Sequence, residues 1–506
     1  MKMEADFLLT LLEFMAALFV FVVGLGVIAI IVMYIVDKTQ TKQAIRHNFP
    51  VIGRFRYVFE EMGEFFRQYF FSMDREEMPF NRAQRSWAYR AAKNVDNTVA
   101  FGSTRSLRQT GTTMFVNHPF PTLRSDAVEC AEQTIGPGCT SPFKTSALFS
   151  ISGMSYGAIS TPAVRALSNG ARKAGIWMNT GEGGLSPYHL EGGCDIVFQI
   201  GTAKNGVRDL AGNLSDDKLR KVAAHEQIRM FEIKLSQGAK PGKGGILPGA
   251  KVTEEIANIR GIQRGEDAIS PNRHLDISSN DDLINMIEHV REVTGKPVGF
   301  KAVIADETWL DDLFSNIYQR GSDAAPDFIT VDGADGGTGA APLPLIDDMG
   351  LPLRESLPML ANKLIEYGLR ERVKIIASGK LITPADVAWA LCLGADFCVS
   401  ARGFMFSLGC IQALQCNKNT CPTGITTHNP KLQRGLDPAD KAERVASYAK
   451  NLCYEVGMIA HSCGVNEPRE LARHHVRVVM ENGLSIPLHK LHPTPEARHE
   501  SIAANG

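Results

Sequence analysis

Four short apolar runs decide the fold of this chain of 506 residues: VGFKAVI at 298–304, FITVDG at 328–333, KIIASG at 374–379 and FCVSARG at 397–403. Glycine, lysine or acidic residues lie at the ends of these runs, and helical patterns such as PADVAWALCLGA at 384–395 separate them. Strand and helix patterns alternate in this way from about 145 to 430. This alternation predicts an α/β fold, a (β/α)8 TIM barrel whose chemistry lies on the loops after the strands.

The alternative architecture is an open doubly wound sheet, but no GxGxxG motif follows an early strand to support it. The barrel pattern divides the chain into an N-terminal apolar segment, an aromatic and charged collar, the barrel, and a short helical C-terminal extension. The predicted boundaries are 1–40, 41–144, 145–430 and 431–506. In the extension, DKAERVASYAKNLCYEVGMIA at 440–460 predicts a helix on the outside of the barrel.

The composition excludes some classes of protein. The 54 basic and 55 acidic residues leave a formal net charge of −1, so a nucleic-acid binder that relies on bulk charge is not expected. Ten cysteines are too few for a disulfide scaffold of this length. The 46 glycines and 25 prolines have no collagen-like period and therefore indicate many tight loops.

The N-terminal segment contains 23 consecutive residues without a charge, from Phe14 to Val36. As a helix it is about 34 Å long, which is enough to cross a bilayer. A signal peptide and a buried core helix are the alternatives. The segment is longer than the apolar part of most signal peptides, and its start carries mixed charge.

Basic residues follow the apolar segment and outnumber the single lysine before it: Lys38, Lys42, Arg46, Arg54 and Arg56. The positive-inside rule therefore predicts a single-pass membrane protein with its large C-terminal part in the cytoplasm. Thiols stay reduced in that compartment, so the cysteines are expected to be ligands or packing residues rather than disulfides.

Three cysteines lie within twelve residues, in GCIQALQCNKNTCPTG at 409–424. Their spacing, C-x5-C-x4-C, lacks the paired C-x2-C of common zinc ribbons. Three close thiolates at Cys410, Cys416 and Cys421 suit an iron–sulfur cluster. The alternative is three buried cysteines that only pack.

Glycine-rich tripeptides end the last two apolar runs. Ser378-Gly379-Lys380 and Ala401-Arg402-Gly403 stand where the phosphate-binding loops of a TIM barrel lie, after strands 7 and 8. Such glycines let a phosphate approach the backbone, although most glycines of this kind are simply turns. Lys301 lies within another run, where it is either a cation that faces a ligand or part of a structural salt bridge.

Five longer motifs together resemble the FMN-binding synthase domain of glutamate synthases. They are GMSYGAIS (153–160), NTGEGG (179–184), QGAKPGKGGILPG (237–249), DGADGGTGAAP (332–342) and GCIQALQCNKNTCPTGITT (409–427). The resemblance covers more than half of the chain in the family's order. It implies a barrel that carries FMN and a 3Fe–4S cluster on Cys410, Cys416 and Cys421. It also implies reductive amination of 2-oxoglutarate with ammonia to L-glutamate.

The resemblance also implies roles for individual residues. Glu182 would be catalytic, holding ammonium or moving its proton, although a loop hydrogen bond is the alternative for this carboxylate. Lys301 would be both catalytic and a cofactor ligand. The implied FMN contacts are Met154, Ser155, Tyr156, Gln199, Lys301, Gly333, Gly336, Gly379, Lys380 and Gly403. Asn179 and Lys204 would contact the substrate.

The sequence departs from the family at the substrate contacts. Phe198 stands where the family has lysine, and Lys204 stands where it has arginine. Lysine cannot form the bidentate hydrogen bonds that arginine makes with a carboxylate. Another 2-oxo acid or an amine, such as an N-substituted glutamate, is therefore the alternative substrate. The third functional hypothesis is an electron-transfer or redox module held at the membrane.

Two features that the sequence lacks predict partners that supply ammonia and electrons. The N-terminus, MKMEADF, has no cysteine nucleophile of a glutamine amidotransferase, so ammonia is expected free or from a glutaminase partner. Without a dinucleotide fingerprint, electrons are expected from ferredoxin, a separate reductase subunit or the membrane.

Overall fold

The computed structural model describes residues 2–128 and 130–497, which separate into the units Met1–Ala83 and Gln84–Gly506. The first unit is helical, with α1 (Lys2–Thr39), α2 (Ala44–Asn48), α3 (Gly53–Phe66) and a π-helical turn (Arg67–Phe71). Within α1, Asp6–Thr39 is long and apolar enough to cross a membrane, and its apolar side chains are exposed. By length and composition this helix fits a membrane span, a signal sequence or a core helix.

Short strands precede and interrupt the barrel in the second unit. They are β1 (Thr113–Phe115), β2 (Gln133–Ile135) and β3 (Phe143–Thr145), of which β2 and β3 pair antiparallel. The barrel strands then run β4 (Phe149–Ile151), β5 (Met178–Asn179), β6 (Ile196–Ile200) and β7 (Ile228–Lys234). After the antiparallel pair β8 (Ile246–Leu247) and β9 (Ala268–Ile269) come β10 (Val298–Ala302), β11 (Phe328–Asp332), β12 (Lys374–Ser378) and β13 (Phe397–Ser400).

Eight parallel strands close the barrel within the described residues, as the alternation predicted. Pairing of β13 with β4, with Val399 opposite Ser150, completes the ring. The four apolar runs at 298–403 are the last four barrel strands. They read as continuous apolar runs because nearly every one of their side chains is buried. A closed parallel barrel brings the carboxyl ends of all its strands to one rim.

Helices surround the barrel and begin where side chains cap them. Ser160 caps α5 by accepting a hydrogen bond from the amide of Ala163, and Gly175 ends that helix with a φ of 69°. The helices of this unit are α4 (Arg82–Ala92), α5 (Thr161–Ala174), α6 (Pro187–Glu191), α7 (Asp216–Ala223), α8 (Glu254–Arg260), α9 (Asn280–Thr294), α10 (Glu307–Arg320), α11 (Leu343–Asp347), α12 (Leu353–Glu366), α13 (Pro384–Cys392), α14 (Arg402–Ser407), α15 (Pro430–Gln433), α16 (Pro438–Ser462) and α17 (Leu488–Leu491).

The C-terminal extension packs against the barrel. The helix predicted at 440–460 is confirmed as α16, and it lies along α5. Beyond α16, the strands β14 (Val476–Val479) and β15 (Ser485–Pro487) form an antiparallel sheet with β1. The two helices approach closely at Gly170, where an added Cβ atom would lie 2.5 Å from the Cβ atom of Val445.

Replacing this glycine tests the packing of the two helices. Alanine in place of a helical glycine usually stabilises a helix. Gly170→Ala should instead lower the free energy of unfolding by about 1–3 kcal/mol, because the new methyl group overpacks the contact with Val445. Thermal denaturation of the purified protein measures the change. Gly457→Ala is the matched control, since its Cβ would meet only His461 at 3.6 Å; equal midpoints for both variants would contradict the packing.

Candidate active site

A pocket opens at the rim formed by the carboxyl ends of the barrel strands. Its cavity volume is about 140 Å³, and the space continues into open solvent at the rim. Its wall comes from the loops after β4, β5, β7, β11 and β13, together with the cysteine-rich loop. Four of the five motifs quoted above supply loops on this wall, and the fifth supplies the cysteines.

The NTGEGG loop packs directly against the segment after β4. Met154 and Ser155 of that segment line the pocket. A Cβ atom on Gly181 would lie 2.5 Å from the amide nitrogen of Ser155. Gly181 also has a φ of 64°, so both the close approach and the backbone conformation require glycine.

Tyr156 supports this segment from behind rather than lining the pocket. Its hydroxyl donates a hydrogen bond to Glu255 at 2.6 Å, and the hydroxyl of Tyr188 donates to the same carboxylate at 3.3 Å. Burial and the neighbouring Glu255 raise the pKa of Tyr156 above its ordinary value. The phenol therefore stays protonated and fixes the backbone that presents Met154 and Ser155.

Glu182 fits between two glycines. A Cβ atom on Gly201 would lie 2.5 Å from the Cβ of Glu182, and a Cβ on Gly245 would collide with its carboxylate. The carboxylate pairs with Lys234 at 3.1 Å. Burial alone would raise the pKa of Glu182, but the charges of Lys234 and Lys240 lower it to about 2. Glu182 is therefore ionised at neutral pH, which suits holding a cation better than donating a proton.

Lys240 is a cation whose charge faces the pocket. It is 6% exposed and lines the wall. Among the described residues, no carboxylate lies within ion-pair distance of its amine. Burial lowers the pKa of Lys240 to about 8, and the nearby Lys234 and Lys301 contribute to this shift. An anionic ligand group would restore the charge balance at this position.

Arg260 supports the same wall from the C-terminal end of α8. Its guanidinium donates to the carbonyl of Tyr156 at 2.8 Å and to the hydroxyl of Ser155 at 3.3 Å. Its Nε atom is buried without a hydrogen-bond partner. A buried guanidinium nitrogen without an acceptor is costly, so a ligand acceptor at this wall would stabilise it.

A buried carboxylate organises the floor of the pocket. Glu232, which is 3% exposed, accepts hydrogen bonds from Gln199 Nε2 at 2.6 Å, Asn179 Nδ2 at 2.9 Å and Thr330 Oγ1 at 2.6 Å. This network commits the amide nitrogen of Gln199 to Glu232. The amide oxygen of Gln199 is then the group that it offers to a ligand. Asn179 lies in the network and not on the wall of the main pocket.

Lys301 reaches the pocket from β10. Its side chain is 6% exposed, and Asp332 lies 4.0 Å from its amine. This distance is the outer limit of an ion pair, so a tight structural salt bridge does not account for the buried charge. Lys301 also lines a small separate cavity, together with Glu232.

Three of the glycines predicted to contact FMN, Gly333, Gly336 and Gly379, lie together at the ends of β11 and β12. A Cβ atom on Gly379 would lie 3.2 Å from the amide nitrogen of Gly333, and one on Gly336 would lie 3.7 Å from the Cα of Gly379. Gly379 has a φ of 139° and Lys380 a φ of 49°. The pocket wall itself passes through the neighbouring residues 337–340.

Gly403 has a packing reason to be glycine. Its amide donates to the hydroxyl of Ser400 at 3.1 Å. A Cβ atom would collide with the hydroxyl of Tyr448, which donates to the carbonyl of Ile382 at 2.9 Å. The glycine therefore accommodates α16, whatever ligand the loop holds.

The two positions that depart from the family lie off the wall. Lys204 is buried and pairs with Asp276 at 2.8 Å, and it is not among the described residues that line the pocket. Phe198 is fully buried, with its ring 5.7 Å from that of Phe231. Neither side chain presents a cation to a ligand.

The cysteine-rich loop borders the pocket at Cys416. The Arg402 guanidinium donates to the Cys416 sulfur at 3.8 Å, and the Lys251 amine donates to the Cys416 carbonyl at 3.1 Å. Lys251 also donates to the carbonyl of Ala158 at 2.8 Å. This buried lysine therefore joins the cysteine loop to the segment after β4.

The three cysteines do not form a site for a single metal ion within the described residues. In a cluster each thiolate binds a different iron, so the sulfurs lie farther apart than the ligands of one ion. Burial alone would raise the pKa of Cys421, but hydrogen bonds from Thr423 and Thr426 lower it. The lowered pKa of Cys421 is compatible with a metal-binding role, whereas burial raises the pKa of Cys410.

Sequence reasoning did not select several of these residues. They are Lys234, Glu232, Lys240, Lys251, Arg260 and Arg402. Lys240 lies inside the quoted motif at 237–249, so the motif was a usable signal. Nothing local distinguishes Glu232 or Arg260 from other charged residues, because their importance comes from burial against distant loops.

Comparison with known proteins decides the family. Residues 90–466, well over half of the chain, match the conserved region in glutamate synthase. The chain belongs to the glutamate synthase family. It is therefore a glutamate synthase-like oxidoreductase, as its motifs predicted.

Relatives support this membership. The glutamate synthase large subunit-like protein YerD of Bacillus subtilis is 41% identical, over 94% of this chain and 98% of its own length. The archaeal-type NADPH glutamate synthase of Thermotoga maritima is 37% identical, over 62% of this chain and 58% of its own length. The chain therefore spans little more than half of that enzyme. The flavin-binding domain of baker's yeast flavocytochrome b2 is 14% identical with a TM-score of 0.46, over 81% of this chain and 82% of that domain.

The Glu232 network is open to a direct test. Glu232→Gln replaces an acceptor oxygen with an amide that donates, so at least one of Gln199, Asn179 and Thr330 loses its partner. A buried polar group without a partner costs about 1–3 kcal/mol, and thermal denaturation should show a loss of this size. The control is Glu254→Gln, because Glu254 is 75% exposed and pairs only with Arg264 at 3.4 Å. If both variants have the same thermal midpoint as the parent protein, the network does not stabilise the pocket floor.

Proposed function

We propose that this protein binds FMN in the rim pocket and a 3Fe–4S cluster on Cys410, Cys416 and Cys421. In this proposal it catalyses the reductive amination of 2-oxoglutarate with ammonia to L-glutamate. The observation that carries the proposal is the ionised Glu182 carboxylate beside the uncompensated charge of Lys240 in one pocket wall. These two groups match the opposite charges of ammonium and a 2-oxo acid.

The pocket meets the requirements of a flavin nucleotide. Lys301 and the amide oxygen of Gln199 are available for the ring edge, and Met154 and Ser155 for its face. Gly379, whose φ of 139° favours glycine, lies at the end of β12, where TIM barrels bind phosphate. When bound, FMN supplies hydride chemistry that amino-acid side chains cannot provide.

The charged residues would bind and orient the reactants. The net reaction joins a 2-oxo acid, ammonium, two electrons and two protons to give the amino acid and one water. Glu182 would hold ammonium, because its pKa of about 2 keeps it ionised. Lys240 would bind a carboxylate of the oxo acid.

The cysteine loop is suited to deliver electrons to the pocket. Cys416 lies on the pocket wall, and Arg402 contacts both its sulfur and the carbonyl of Thr338 on the opposite loop. Ferredoxin or a separate reductase subunit would reduce the cluster. Ammonia would enter free or from a glutaminase partner. In this proposal α1 spans the membrane and the catalytic domain is cytoplasmic.

A second candidate keeps the cofactors but changes the substrate. Lys204 is committed to Asp276, and Phe198 is buried, so neither position grips a carboxylate. The alternative is an FMN oxidoreductase that acts on another 2-oxo acid or an amine, such as an N-substituted glutamate. Such an enzyme would need fewer cationic side chains to bind its substrate than one that binds 2-oxoglutarate. The buried charge pair of Glu182 and Lys234 argues against a pure electron-transfer module, which needs no ammonium-binding carboxylate.

Anaerobic flavin reoxidation tests the proposal. The full chain is purified in detergent, its flavin is reduced chemically, and absorbance is followed after addition of 2-oxoglutarate with ammonium. We expect rapid reoxidation with L-glutamate formed. Glu182→Gln should keep its flavin spectrum but slow reoxidation on the order of 100-fold, because a charge that stabilises the reacting nitrogen is lost. Full flavin content without reoxidation would reject 2-oxoglutarate and favour the second candidate.

The pH dependence tests the role of Lys240. With a pKa of about 8, its amine is charged below pH 8 and neutral above it. The KM for the 2-oxo acid should therefore rise about tenfold per pH unit above 8. Lys240→Arg should flatten this rise, because arginine stays charged. Lys243→Arg, at the neighbouring exposed lysine, should leave it unchanged; a rise that persists in Lys240→Arg would assign it to another group.

A further inference from the structure

Helix α3 has a continuous apolar face. Phe55, Phe59, Met62 and Phe66 follow one another at intervals of four, three and four residues, which places them on one side of an α-helix. The rings of Phe55 and Phe59 lie 6.4 Å apart along this side. Charged residues occupy the other side, where Arg56 pairs with Glu60 at 4.0 Å.

This apolar face is uncovered. Phe55 is 57% exposed and Phe59 is 65% exposed, and the adjacent turn adds Phe70 and Phe71 at 73% and 76%. Soluble proteins rarely leave a contiguous aromatic surface of this kind in water. A surface with this composition marks a contact with a membrane or another protein.

The start of α3 is fixed to the end of α1. Asp37, in the last turn of α1, is fully buried and pairs with Arg54 at 2.7 Å and with Arg46 at 2.6 Å. Its carboxylate also accepts the amide of Val51 at 3.0 Å. Val51 has a φ of 65°, an unfavourable conformation for a β-branched residue. A single carboxylate therefore holds the connection between the two helices.

We propose that α3 lies in the membrane–water interface, with its apolar face against lipid. This inference rests on the proposed membrane span of α1. If α1 crosses the bilayer, Asp37 marks where the chain leaves it, and the ion pair with Arg54 keeps the first turn of α3 at that depth. An amphipathic helix with aromatic and basic residues at this level binds the interface.

Lipid explains the composition better than a protein partner does. The apolar face is dominated by phenylalanine, with tyrosine at Tyr69 in the following turn. Aromatic residues concentrate at the boundary between headgroups and acyl chains. Arg56 and Arg67 lie on the flanks, but glutamates outnumber arginines within α3, so the apolar face rather than positive charge carries the contact with lipid.

Tryptophan reporters in the full chain test the inference. The four native tryptophans all follow residue 86, and the parent protein supplies their background. Phe59→Trp reports the apolar face, and Tyr57→Trp reports the opposite side as a matched control. Phe19→Trp reports the span. Each variant is reconstituted into phosphatidylglycerol and phosphatidylethanolamine nanodiscs and quenched by brominated lipids or by aqueous iodide.

The expected pattern differs at each position. Phe59→Trp should lose most of its emission to lipid brominated near the headgroup and little to iodide. Tyr57→Trp should behave in the opposite way, and Phe19→Trp should respond to lipid brominated deep in the acyl chains. Iodide quenching at Phe59→Trp with lipid quenching kept at Phe19→Trp overturns the inference and leaves the span intact.

Two other results also decide against the inference. Protection of Phe59→Trp from both quenchers means that protein, such as a second copy of the chain, covers the face. Iodide quenching at all three positions means that α1 does not span the membrane, so the anchor fails together with the inference. The oxidoreductase activity is measured separately and does not depend on any of these results.

Discussion

Closure of the barrel is the constraint on which the active site depends. The pairing of β13 with β4 joins the last strand to the first, and every strand in the ring runs in the same direction. The segments 153–158, 179–184 and 337–340 therefore meet at one rim, although they are far apart in the sequence. An open sheet would place the first and last of these loops at opposite edges.

Electrostatic balance inside the pocket follows from that convergence. Glu182 and Lys234 come from different strand ends and neutralise each other, whereas Lys240 adds a charge without a close acid. The net charge of these three side chains is positive, and water is partly excluded from the pocket. The site therefore favours an anionic ligand. The same lysines keep Glu182 ionised.

The sequence predicted the parts of the structure that depend on local pattern. The strands at 298–302, 328–332, 374–378 and 397–400 coincide with apolar runs, and α16 coincides with a helical period. The motifs also predicted that Met154, Gln199 and Lys301 would converge. The orientation of a side chain could not be predicted in this way, because it depends on residues of distant loops. Tyr156 donates a hydrogen bond to Glu255, and Lys204 pairs with Asp276. Glu232 carries no local sequence signal of its role.

The contact of Tyr448 with Gly403 has a consequence for how the protein can be divided. Tyr448 belongs to α16, outside the barrel strands, yet it fills the space beside a loop at the end of β13. β1 likewise depends on β14, since Thr113 pairs with Val478. A fragment limited to residues 145–430 would expose the surface that Tyr448 covers and would lack both β1 and β14. The barrel therefore needs its flanking segments, and residues 145–430 alone would not preserve these contacts.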